Sequence, residues 1–146
     1  MTLFPNSISD ISNAIQLALG PVFLLTGVAG LLNVMSGRLS RIIDRGRFLT
    51  ENPSAKQVIS LKAIQEELET LEKRRKLTSI AITMCTFSAL FVCMVIVILF
   101  LEVLFSIPFN WIIGAFFSLA TLALVVGLAY FLREVHLSSR TIRLMK

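Results

Sequence analysis

At 146 residues the chain has room for one domain, residues 1–146. Hydrophobic residues make up 55% of it, charged residues only 16%, and the mean hydropathy is +0.82, which excludes a soluble globular domain and leaves a membrane protein. The net charge of +5 comes from basic blocks that topology explains, so it implies no nucleic-acid partner.

The first element opens after a short lead in which Asn6, Ser7, Ser9 and Asp10 are residues of helix starts. The lead has no basic segment before the apolar run, so no cleaved signal peptide is expected. Ile15 to Met35 is uncharged and long enough for a first span, since about 20 apolar residues cross the hydrocarbon core. Pro21 predicts a kink there, because proline lacks the amide donor that would bond the Leu17 carbonyl. Gln16, Gly20, Phe23, Gly27, Gly30, Val34 and Gly37 follow a three-four spacing, with Asn33 at the border. Such a face suits close packing by another helix or a water-filled path.

The helix then turns basic. Leu39, Ile42, Gly46 and Leu49 share a stripe flanked by Arg38, Arg41, Arg45 and Arg47, and Asp44 is placed to pair with Arg41 at the helical (i, i+3) spacing. Asn52-Pro53-Ser54 predicts a turn, because the residue before proline avoids the helical region. From about Ser54 one long helix is expected to lead into the second span, Leu77 to Leu101. Leu61, Ile64, Leu68 and Leu71 have coiled-coil spacing, and the stripe at 39–49 is their natural partner. The two segments, about 38–76, are therefore expected to form an antiparallel helical hairpin, with acids of the second arm near arginines of the first. Lys73-Arg74-Arg75-Lys76 marks the membrane edge, where basic side chains reach anionic headgroups of the bilayer.

Ser79, Thr83 and Thr86 share a face of the second span, and such hydroxyls bond back to their own helix. Cys85 and Cys93 are eight positions apart on that helix, about 12 Å along its axis, too far for a disulfide. Ser106-Ile107-Pro108 predicts a tight turn, and Trp111 follows at an interfacial position. The third span, about Phe109 to Leu132, contains the small-residue pair Gly114 and Ser118. Phe131 to Lys146, taking in the tail at 133–146, continues as a helix with Leu132, Val135, Ser139 and Ile142 as its packing stripe and His136 as a solvated side chain.

All 14 Lys and Arg lie in two blocks, Arg38 to Lys76 and Arg133 to Lys146. Basic residues near membrane ends remain cytoplasmic, so the N-terminus is expected outside and the central segment and C-terminus inside. The fold class expected is an all-α membrane protein of three transmembrane helices, with a cytoplasmic hairpin and a cytoplasmic C-terminal helix.

The run Arg38-Leu-Ser-Arg-Ile-Ile-Asp-Arg-Gly-Arg-Phe-Leu, after a Gly- and Pro-containing span, resembles a bacterial family known as a numbered domain of unknown function, number 2721. The tail segment Phe131-Leu-Arg-Glu-Val is similar to the end of that family, and the resemblance covers about Ile8 to Met145. It implies a three-span protein of the bacterial inner membrane, and it brings no activity, cofactor or catalytic residue.

The chain has no CxxC, HExxH, Walker loop or Ser–His–Asp set, and its single histidine and two cysteines offer little to a metal, so neither enzyme activity nor a metal or cofactor is expected. Two functions fit the pattern. One is a homo-oligomeric channel lined by Gln16, Gly20, Phe23, Gly27, Gly30, Asn33 and Gly37, with an inner vestibule of Arg38, Arg41 and Arg45 and outer charges at Asp10 and Glu102. The other is a scaffold or regulatory subunit that docks a cytoplasmic protein partner through its cytoplasmic helices.

Overall fold

A computed structural model describes residues 8–51, 61–105 and 110–143, with side chains placed over 11–51, 62–105 and 110–138. The described residues are all helical: α1 is Ile8–Glu51, α2 is Leu61–Phe105 and α3 is Asn110–Arg143. The expected turns at Asn52-Pro53-Ser54 and Ser106-Ile107-Pro108, the side chain of Asp10, and the stripe positions Ser139 and Ile142 lie outside the described residues.

Helices of 44, 45 and 34 residues are about 66, 67 and 51 Å long at 1.5 Å per residue, well beyond the roughly 30 Å of a hydrocarbon core. Each is long and apolar enough to cross a membrane. The apolar and charged stretches of α1 therefore belong to one helix, and α2 likewise carries its charged residues and its uncharged run without interruption. Pro21 lies inside α1 and does not end it.

The burial pattern repeats every seven residues. In α1 the buried positions include Ala14, Pro21, Val28, Met35, Ile42 and Leu49. In α2 they include Ile64, Leu71, Thr78, Cys85 and Val92, and in α3 Ala120, Gly127 and Glu134. A seven-residue repeat is the seam of helices packed knobs-into-holes. In the apolar stretches the seam is lined largely by small side chains, Ala14, Ala18, Ala81, Cys85, Ser88 and Ala120. Without water as a driving force, membrane helices associate by close contact, and small residues permit it.

The chain divides into two compact units. One comprises Met1–Leu31 and Met84–Val125. Its interior holds Ala14, Ala18, Val28, Cys85, Val92, Val95 and Ala120, and Phe91 and Phe116 meet at a ring separation of 6.0 Å. The Ser88 hydroxyl is buried there with no hydrogen-bond partner among the described residues. The other unit comprises Leu32–Thr83 and Val126–Lys146. Its apolar core joins Ile42, Leu49 and Leu71, with Leu68 against them, as the leucine spacing predicts.

Candidate functional site

The second unit holds a cluster of charge around Glu134, whose side chain is 0% exposed. Arg38 of α1 donates from Nη1 to its Oε2 at 2.9 Å. Arg74 of α2 donates from Nε and Nη2 to its Oε1 at 3.1 and 3.0 Å. One carboxylate of α3 thus joins all three helices through charge-assisted bonds. Arg38 also lies over the Phe131 ring, 5.4 Å from its centroid, so its charge is shared between an anion and an aromatic face. The buried hydroxyl of Thr78 donates to the Arg74 carbonyl at 3.0 Å.

The packing expected of the tail is corrected by this cluster. Leu132 is 69% exposed, and the buried position of that turn is Glu134, two residues on. Two guanidiniums draw the carboxylate inward, which leaves the leucine on the outer side of the helix. One signal of it is present in the sequence: Glu134 is the sole acid between Arg133 and Lys146.

The acid–arginine pairing expected between the first two helices is present at Arg45, whose Nε donates to Glu67 at 2.8 Å, with Arg45 also against the Phe48 ring. Arg38 and Arg45 of the supposed vestibule are thus engaged within the chain, while Arg41 is exposed. Arg41 and Asp44 are both exposed and form no ion pair among the described residues.

The glycine face of α1 lies opposite its buried seam. Gln16, Gly20, Phe23, Gly27, Gly30, Asn33 and Gly37 are all exposed. A Cβ built on Gly20, Gly27, Gly30 or Gly37 meets nothing within 4 Å. At these glycines the face touches no other helix among the described residues. Thr26 is satisfied by its own helix, donating to the Val22 carbonyl at 3.2 Å. Gln16 and Asn33 have no hydrogen-bond partner among the described residues. Glu102 is partly buried near the end of α2, and Gly114 and Ser118 are exposed, so this small-residue pair packs on no helix among the described residues. Ser118 and Thr83 bond back to Gly114 and Ser79 carbonyls at 2.8 and 2.9 Å, as expected of intrahelical hydroxyls.

The described residues contain no grouping of three His, Cys, Asp or Glu side chains suited to a metal ion. The family model described as a protein of unknown function, DUF2721, matches residues 18–144. The chain belongs to the DUF2721 family. The match takes in α1 from Ala18 onward and the whole of α2 and α3 of this DUF2721 protein, including Arg38, Arg74 and Glu134. No curated protein and no solved structure matches it.

Proposed function

We propose that this DUF2721 protein is a homo-oligomeric membrane channel in which the glycine face of α1 meets other copies and lines the path between them. The observation that carries the reading is the pair of amides on that face. Gln16 and Asn33 belong to an apolar segment, are exposed, and find no hydrogen-bond partner among the described residues. An unpaired amide in hydrocarbon costs several kcal/mol, so each requires water or a neighbouring chain. The adjoining glycines leave room for either. In this reading the N-terminus is outside the bacterial inner membrane and the C-terminus inside, the segment around the 38–76 hairpin is cytoplasmic, and no catalytic chemistry is involved.

Native mass spectrometry of the protein from mild detergent or nanodiscs tests the assembly. A closed ring of four or more copies supports the channel, and a monomer or dimer refutes it. Given a ring, Gly27→Leu should abolish ion flux in liposomes while Leu122→Ala, on an exposed position of α3, leaves it unchanged.

A second reading is favoured by Ile43 and Phe48, 37% and 51% exposed on the polar stretch of α1. Apolar side chains there suit docking of a cytoplasmic partner, and the protein would then act as a scaffold. Normal assembly with no flux in the wild type would select it.

A further inference from the structure

The basic run of α2 is divided in its use. Arg74 turns inward to Glu134, whereas Arg75 and Lys76 are exposed. Arg75 forms no ion pair among the described residues. Lys76 reaches Glu72 only at 4.0 Å, with both side chains largely in the open. Glu72, Arg75, Lys76 and Ser79 are spaced i, i+3, i+4 and i+7, which puts them on one face of the helix. Together with Ile80 they line a crevice of about 340 Å3 that is open to the outside. Glu72 and Arg75 also line a neighbouring cleft of about 710 Å3 between α1 and α2, floored by Ile42, Leu68 and Leu71.

The crevice lies where the charged residues of α2 give way to the uncharged run that starts at Leu77. Ser79 and Ile80 are on the apolar side of that boundary, and Arg75 and Lys76 are on the polar side. We propose that it is a binding site for one anionic phospholipid per chain. Arg75 and Lys76 hold the phosphodiester, the Ser79 hydroxyl donates to a glycerol or ester oxygen, and an acyl chain runs along Ile80. Two cations against one carboxylate leave a local charge of +1, which matches a singly charged phosphodiester lacking a headgroup amine. General attraction of lysines to a membrane surface requires no hydroxyl beside the cations; this crevice places one on the same helical face. The inference requires α2 to cross a membrane and is independent of assembly or conduction.

The test is native mass spectrometry of the full chain in mild detergent, titrated with phosphatidylglycerol or phosphatidylcholine of the same acyl chains. Wild type should retain one phosphatidylglycerol per chain and bind phosphatidylcholine at least tenfold more weakly. The R75Q/K76Q variant should lose tenfold or more in affinity for phosphatidylglycerol. Ser79→Phe, which fills the crevice without altering charge, should lose affinity as well. The K73Q/R133Q variant removes the same charge outside the crevice and should bind as wild type does. Equal binding of the two lipids by wild type overturns the site, as does equal weakening by the K73Q/R133Q variant. If R75Q/K76Q does not fold, unchanged binding by Ser79→Phe overturns it by itself.

Discussion

A carboxylate withdrawn from water costs several kcal/mol unless its lone pairs are matched, and Glu134 is matched by two guanidiniums. Removing one member of such a group leaves uncompensated charge behind. Glu134→Gln should therefore lower unfolding stability in detergent by about 3 kcal/mol, as followed by chemical denaturation. The Arg74→Met and Glu134→Leu changes together should cost less than the sum of each alone, a coupling that a double-mutant cycle measures directly. The Arg45–Glu67 pair is half in solvent, so Arg45→Gln should cost less than about 1 kcal/mol, and salt should diminish the effect. Sequence reading finds the second pair and misses the first. The placement of charge along two amphipathic arms points to acids of the second near arginines of the first, of which Arg45 and Glu67 are a case, whereas a lone acid in a basic tail resembles an ordinary solvated residue until the third helix is in place.

Each helix obeys a seven-residue repeat, and its phase is the part that hydropathy does not give. In the polar stretch of α1, Arg41 and Arg47 identify the outer face, so Ile42 and Leu49 are readable as core. In the apolar stretch lipid and protein interior accept the same side chains, and the glycines attract attention to the outward face. Counting back in sevens from Ile42 reaches Met35, Val28, Pro21 and Ala14, all buried. Counting forward from Ile64 and Leu71 reaches Thr78, Cys85 and Val92. The inner seam was thus present in the sequence, in a register set by the charged ends. Leu49→Ala should cost about 3 kcal/mol because it opens a cavity at a fully buried position. Phe48→Ala, at a half-exposed neighbour, should cost less than about 1 kcal/mol in the same denaturation series. The cysteines report the seam in the second helix. Cys93 is exposed and Cys85 buried, so an apolar thiol probe in mild detergent should modify Cys93 at least tenfold faster, measured by mass spectrometry on the C85A and C93A variants.

At the scale of the molecule, the helix count, the spans and the long polar extensions follow from length and charge blocks. The polar tie among the three helices does not, because Glu134 has its partners 96 and 60 positions away. If the basic blocks face the cytoplasm, reporter fusions at the two ends should show opposite sidedness, with the C-terminal fusion inside. Equal sidedness would require an even number of crossings and would contradict three spans. The order of synthesis gives Glu134 a further consequence. Arg38 and Arg74 leave the ribosome first, and the positions they come to share then hold two like charges with no anion between them. The helix pair is repulsive at that point until the last helix delivers its carboxylate. A chain stopped before Glu134 should thus hold its first two helices together less stably than the full chain, and completion of the third helix removes that repulsion.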